Sequence, residues 1–218
     1  MRIGNIKGFN RTLDLIIKSR QSVDSFNSKI PSKTDIEKVI LAGSKAPLTG
    51  QAIYGVDFLR FVVIARASGA TSIASSLIER RKAAIIETLE RQQEQIEFQR
   101  QLGRIDFGGL TIMADVSSSN IGIAPFFVIV ACRRGVLAEE QLYLAHGLEN
   151  MWLKAIALGL SFQLLPITIQ MAEDKEFCEL IGIPFGEFAL GGCLLGYSNG
   201  RVGHAPEPQM EVRVDWLD

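Results

Sequence analysis

The chain has 218 residues, 47% of them hydrophobic, with 23 Lys and Arg against 24 Asp and Glu for a formal net charge of −1. Such a length supports one substantial core without requiring a second domain, and the composition is that of a globular rather than a disordered chain. Charge this close to balance leaves no electrostatic case for nucleic acid or an anionic membrane surface as a partner.

Residues 8–19 place Phe9, Leu13, Ile16 and Ile17 at helical spacing, with Asn10 near the start. Residues 20–30 are polar and turn-rich. Ser32 then reads as a helix N-cap, with Asp35 three residues on near the positive end of the dipole. That helix runs through Ile36, Val39, Ile40 and Ala42 and stops before Pro47. Residues 58–65 are β-rich and form a strand. Residues 71–101 contain no helix breaker, and Ile73, Leu77, Ala84, Ile85, Leu89, Ile96 and Leu102 mark a narrow apolar stripe. Propensity makes this one long helix, either solvated along most of its length or packed on a partner subunit.

The Gly- and Ser-rich residues 103–119 read as a mobile surface connection. The apolar run 121–132 falls short of the ~20 residues a bilayer span requires and contains Pro125, so a buried strand is expected there. Arg133, Arg134 and Gly135 make a turn. A second strong helix over 138–159 carries Leu142, Ala145, Leu148, Trp152, Ala155, Ile156 and Gly159 on or near one face, and a short helix follows over 173–181. Residues 188–197 form a strand loosened by Gly191, Gly192 and Gly196, where another backbone can approach closely. A Gly- and Pro-rich tail from Ser198 ends in the strand-like residues 211–216. There is no internal repeat and no linker, so residues 1–218 are expected to form a single α+β domain.

Cys132, Cys178 and Cys193 are odd in number and widely separated, which indicates neither a disulfide framework nor a CxxC site. With only His146 and His204 besides, no metal centre is expected. The thiols suit a reducing cytoplasm, and the start of the chain carries no charged-then-apolar leader.

Two short segments carry chemistry. In Arg20-Gln21-Ser22-Val23-Asp24-Ser25-Phe26 a fixed cation and a hydroxyl follow an apolar helix, a combination suited to a phosphate but, taken alone, more often an ordinary helix end. In Ala46-Pro47-Leu48-Thr49-Gly50-Gln51 a broken helix leaves backbone amides and a carboxamide for a planar heterocycle, or simply makes a turn. His146 reads as a packed or capping histidine, Glu149 as part of a solvated helix face, and Tyr54 as either core or an aromatic contact.

Together these spacings resemble the FMN-dependent nitroreductase family, whose pattern opens Arg-x-Ser-x-x-x-Phe and continues Ala-Pro-(Ser/Thr)-x-x-Asn. Further blocks in the same order strengthen the likeness: Ile123-Ala124-Pro125 before a strand, Ala155-Ile156-Ala157-Leu158-Gly159-Leu160, Leu180-Ile181-Gly182-Ile183-Pro184, and Leu195-Gly196-Tyr197. The likeness covers residues 16–216. It implies a three-layer α+β fold with a central mixed, mainly antiparallel sheet flanked by helices, in an intertwined homodimer with flavin sites at the interface.

It also implies FMN as cofactor, with Arg20, Gln21 and Ser22 at the phosphate and Pro47, Leu48 and Thr49 along the ring and ribityl chain. Gln51 stands where the family has an Asn against the pyrimidine edge. A backbone amide from residues 164–168, around Leu165 and Pro166, would face flavin N5. A C-terminal base would reach the phosphate; Arg201 and Arg213 are the candidates, and Arg213 is the one assigned. No catalytic side chain is implied, because the flavin carries the redox step. FMN rather than FAD is expected, since no strand-linked GxGxxG is present. A reduced nicotinamide or another donor would reduce the flavin, and a nitroaromatic, quinone or other metabolite would reoxidise it in ping-pong fashion. The chain departs from the pattern at Asp24, where many members have a base, at Gln51, at Ile53-Tyr54-Gly55 in place of Gln-Pro-Trp, and at Glu207-Pro208-Gln209 where a Pro-Arg pair is common. Those departures keep open a non-catalytic member that holds flavin or another planar cofactor for sensing or storage, and a purely structural role resting on the long helix.

Overall fold

The computed structural model describes residues 6–23, 25–47, 58–101, 120–135, 139–200 and 214–216. In chain order these form α1 (Ile6–Ser19), α2 (Lys33–Gly43), β1 (Leu59–Ala65), α3 (Gly69–Gln101), β2 (Phe126–Arg133), α4 (Glu140–Ala157), β3 (Ser161–Leu164), α5 (Ile167–Gln170), a 3-10 turn (Met171–Glu173), α6 (Lys175–Leu180) and β4 (Phe188–Gly196). The strands make one sheet in the order β1-β2-β4-β3, and every pairing is antiparallel. The parallel component is a single bridge between Ser22 and Phe162 on the outer edge of β3.

Every residue of β4 is buried, and β2 is buried along its six central residues. Strands covered on both faces read as continuous apolar runs, and here the alternation sorts them into two cores. Phe127, Ile129, Ala131, Leu190 and Leu194 face Ala74, Leu77 and Ile78 of α3, Met171, and Phe177 of α6. Val128, Val130, Cys132, Ala189, Cys193 and Leu195 face Ile36 and Val39 of α2 and Leu144, Met151 and Ala155 of α4. The result is helices, sheet, helices in three layers. Burial pushes the Cys132 thiol up to about 12, with Glu140 adding to the effect, and raises Cys193 as well. Both thiols therefore pack as small hydrophobes.

Local chemistry sets the element ends. Ser32 caps α2 by accepting from the Asp35 amide at 3.1 Å. Helix α4 ends in paired bonds from Gly159 N–H to Ile156 O and from Leu160 N–H to Ala155 O, both 2.9 Å, with Gly159 at φ +70°. Only a residue without a Cβ takes that left-handed position cheaply, and the stop turns the chain directly into β3. Where α2 crosses α4, a Cβ on Gly43 would come within 2.7 Å of Met151 Cγ and 3.3 Å of Gly147 O, so the two helices meet through glycine.

Several expectations need correcting. Residues 120–125 are turn rather than strand, and β2 starts only after Pro125, which lacks a ladder donor. The four-residue β3 was not anticipated. Helix α4 buries Tyr143, Leu144, Gly147, Leu148, Met151 and Ala155, while Leu142 is exposed, because the glycine contact with α2 decides which face turns inward. The inward face of α3 runs through Thr71, Ala74, Leu77 and Ile78 instead of Ile73, which is exposed. Val214, Asp215 and Trp216 form no strand, and Trp216 is 85% exposed. The connection expected over 103–119 lies outside the described residues. Among the described residues no helix is long and apolar enough to cross a membrane, and no three His, Cys, Asp or Glu side chains gather as metal ligands would.

Two consequences for stability follow. A Cβ at position 196 would meet Pro125 Cδ at 2.6 Å and Phe26 Cδ1 at 2.7 Å, both in rings that cannot rotate away. Gly196→Ala should lower stability by about 1–3 kcal/mol in denaturant unfolding, as overpacking does, whereas Gly122→Ala, with open space around it, should be near neutral. Asp174 caps α6 through the Phe177 amide at 3.0 Å and accepts from Arg80 of α3 at 2.9 Å. Burial alone would raise its pKa, but the Phe177 amide and Arg80 outweigh it and hold the carboxyl below the ordinary 3.8. Asp174→Ala should therefore cost about 0.5–2 kcal/mol at neutral pH. A depressed folded-state pKa stabilises fully above 3.8 and ceases to as pH falls through the lower folded value, so the gap between variant and parent should close below 3.8 in acid unfolding curves.

Candidate functional site

The chain leaves α1 at Ser19 and runs extended along the outer edge of the sheet. Ser22 bridges to Phe162 of β3, and Phe26 bridges to Ser198 just beyond β4. Asn27 reinforces the seam, its N–H donating to Tyr197 O and its Nδ2 to Ser198 O, each at 2.8 Å. Val23 and Phe26 are buried in the core, while Ser22 and Ser25 are exposed.

Arg20 is therefore presented at a fixed place. Its guanidinium lies 4.4 Å over the Trp152 ring, and Trp152 in turn stacks on Phe162 at 4.9 Å with 13° between planes. Its Nε stands 3.4 Å from Glu149 Oε1, with the two side chains 37% and 48% exposed. That contact leaves both terminal Nη groups without a hydrogen-bond partner among the described residues.

A cavity of about 310 Å³ opens beside this stack, between α4 on one side and the β3–α5 turn with the middle of β4 on the other. Leu144, Leu148, Trp152, Leu164, Leu165, Pro166, Ile169 and Leu190 line it, with the backbone of Gly191 and Gly192 behind and Gln141 and Glu149 as its polar members. The glycines are needed. A Cβ at 191 would strike Leu148 at 2.9 Å, and one at 192 would strike Thr168. The wall exists because β3 ends at Leu164 while β4 continues back to Phe188.

Within 164–168 the amides are not equivalent. Leu165 N–H donates to Gly192 O at 2.9 Å, Pro166 has none, and Thr168 N–H donates to Leu165 O at 3.1 Å. Two remain: Leu164, whose N–H the antiparallel alternation turns away from β4, and Ile167, whose N–H opens α5 without an intrahelical acceptor. One buried polar atom without a partner lies on the cavity lining and two others lie on elements next to it. Trp152 Nε1 belongs to a cavity-lining residue, Thr168 Oγ1 sits behind Gly192, and Gln21 Nε2 neighbours Ser22. Each such atom costs about 1–3 kcal/mol while it lacks a partner, a cost characteristic of places where a ligand or ordered water completes the bonding.

Of the residues singled out from sequence, Leu165 and Pro166 line the cavity, Arg20 stacks on the lining residue Trp152, and Ser22 bridges Phe162 of β3, while Arg20, Gln21 and Ser22 are not themselves lining residues. Pro47 is exposed beyond the end of α2 and does not line the cavity. Leu48, Thr49, Gln51 and Arg213, like Asp24, Tyr54 and Arg201, lie outside the described residues. Sequence reasoning missed Glu149 and Trp152 as partners of Arg20. Their i,i+3 spacing puts them on one helix face, and that was the available signal. The arrangement suits a flat, largely apolar molecule carrying an anionic end.

Comparison with known proteins bears on the fold. No curated protein matches the chain. Among solved structures, a nitroreductase with bound FMN from Bacteroides fragilis NCTC 9343 is 20% identical with a TM-score of 0.64, covering 94% of this chain and 98% of that one. A nitroreductase with bound FMN from Desulfitobacterium hafniense DCB-2 is 18% identical with a TM-score of 0.63 over the same shares. A variant of the FMN- and NADPH-dependent nitroreductase NfnB from Sphigopyxis sp. strain HMH is 13% identical with a TM-score of 0.65, again over 94% and 98%. At these identities the likeness establishes the fold. A family model, the Nitroreductase family, matches residues 17–197, from the last turn of α1 to the residue after β4 and so across the whole cavity wall. The chain belongs to the nitroreductase family.

Proposed function

We propose that this chain, acting as one domain over residues 1–218, binds FMN and is a flavin-dependent oxidoreductase of nitroreductase type. The observation that carries the reading is the junction, at Trp152, of a guanidinium with free Nη groups and an apolar slot, where the buried Trp152 Nε1 also lacks a partner. The residues fit the cofactor. A cavity of about 310 Å³ lies within the range of roughly 300–1,000 Å³ usual for small-molecule sites, and its leucine, tryptophan and proline walls suit a ring system. Arg20 and Ser22 would take the phosphate, with the Gln21 carboxamide beside them. Leu165 and Pro166 would floor the ring, and the Leu164 or Ile167 amide would face N5. Pro47, Leu48, Thr49 and Gln51 would complete the ring and ribityl contacts, and Arg213 would add charge at the phosphate. The flavin supplies the redox chemistry when bound, while this chain's side chains position it and exclude water.

The electron donor in this reading is a reduced nicotinamide, which leaves before a small acceptor takes its place in ping-pong fashion. An FMN- and NADPH-dependent structural neighbour supports it. The assembly is a homodimer in the cytoplasm. Phe9, Leu13 and Ile17 stand 63%, 48% and 50% exposed at spacings of four along α1, an apolar face that a second copy would cover.

The purified protein should be yellow or become so with FMN, and should oxidise NADH or NADPH in the presence of a nitroaromatic or quinone. Binding without turnover for any donor would instead indicate flavin storage. Arg20→Ala should weaken FMN binding by roughly ten- to a hundredfold, the equivalent of about 1.5–3 kcal/mol for a charge-assisted bond. Flavin titration measures this, and an unchanged affinity would put the phosphate elsewhere. Light scattering at low micromolar concentration should give a dimer mass. The double variant Phe9→Glu, Leu13→Glu should shift it to monomer and release flavin, and a parent monomer that retains FMN would refute the shared interface.

A further inference from the structure

We infer that Glu149 is a built-in counter-ion of the phosphate site and sets the affinity and phosphate selectivity of flavin binding. This rests on the reading that Arg20 contacts the FMN phosphate. Arg20 is not an idle cation: its Nε already lies 3.4 Å from Glu149 Oε1 while its face is held on Trp152 at 4.4 Å. The stack fixes the guanidinium plane, so Arg20 cannot swing to a new anion without losing the aromatic contact. Glu149 is anchored too, since its helix is pinned by Met151 and Ala155, both fully buried. Its carboxylate is the mobile partner, 48% exposed and a member of the cavity lining.

An incoming phosphate therefore meets a guanidinium already carrying one negative charge. Binding replaces that carboxylate at Arg20, so part of the gain at Arg20 is cancelled. A flavin without a phosphate is indifferent to this exchange. Glu149 thus acts through Arg20 as a positioning residue, and its charge falls selectively on the phosphorylated ligand.

The measurement is flavin titration of the full-length protein with FMN and with riboflavin, the same ring and ribityl chain lacking the phosphate. Glu149→Gln keeps shape and removes charge at an exposed position, and a thermal melt verifies folding. FMN should bind roughly two- to fivefold more tightly, the range expected when an exposed ion pair is released, and riboflavin affinity should not move. In an Arg20→Met background the Glu149→Gln substitution should have no effect on FMN. Unchanged or weaker FMN binding by Glu149→Gln overturns the inference, as does an equal gain for riboflavin. A gain that persists without Arg20 also overturns it, because the carboxylate would then act directly on the ligand. If Arg20→Met alone leaves FMN affinity intact, the phosphate assignment beneath the inference is what fails.

Discussion

The fold turns on the glycines of β4. This strand is buried along its whole length between β2 and β3, and three of its positions lack the side chain that would otherwise hold the layers apart. Gly191 admits Leu148 of α4, Gly192 admits Thr168 of α5, and Gly196 admits Pro125 and Phe26. Each contact places one wall of the candidate site. Leu148 sets how deeply α4 sits over the sheet, Thr168 sets the turn that carries Leu165 and Pro166, and Phe26 draws the Arg20 segment onto β3. Glycine weakens a strand by backbone entropy and lost packing, and here the close approach of all three layers offsets it.

The stack of Arg20, Trp152 and Phe162 links that geometry to charge. An exposed ion pair is worth about 0–1 kcal/mol, so Glu149 alone would not hold a long side chain in one pose. The face of Trp152 is the stronger hold, since a cation over an indole gains about 0.5–2 kcal/mol depending on desolvation. Trp152 is itself fixed by Phe162, whose backbone bridges Ser22. The cation and the hydroxyl two residues later are thus referenced to the same residue of β3. A short edge strand, itself of little intrinsic stability, becomes the ruler for the anionic end of the site.

Much of this was legible in the chain because it is local chemistry. The Ser32 cap and the glycine-loosened strand each need only a few neighbouring residues to specify them, and both stand where spacing put them. The order of the family blocks likewise picked out Arg20 and Ser22 on the segment beside β3 and Leu165 and Pro166 in the turn after it. What was not legible depends on partners distant in sequence. The four residues of β3 are too few to show a period and owe their conformation to β4 and Ser22. The inward face of α4 follows the contact between Gly43 and Gly147, which a count of leucines cannot foresee. Glu149 looked like solvent-facing charge and is indeed exposed, but its meaning lies in Arg20, 129 positions earlier by subtraction of the two numbers.

Helix α3 spans 33 residues, about 50 Å at 1.5 Å per residue. Its buried side chains among those described end at Ile78, and Arg80 ties it to Asp174 and Glu176 near the same level. Between residues 79 and 88 no residue of the helix is fully buried. Helical stretches of this length are marginal in water unless something packs on them. The first turns of α3 and residues 79–88 therefore belong to different cooperative units. The first turns open only with global unfolding, while residues 79–88 exchange their amide protons at a free energy set by whatever lies against them. A single continuous helix in this way reports two separate stabilities, one for the domain and one for its surroundings.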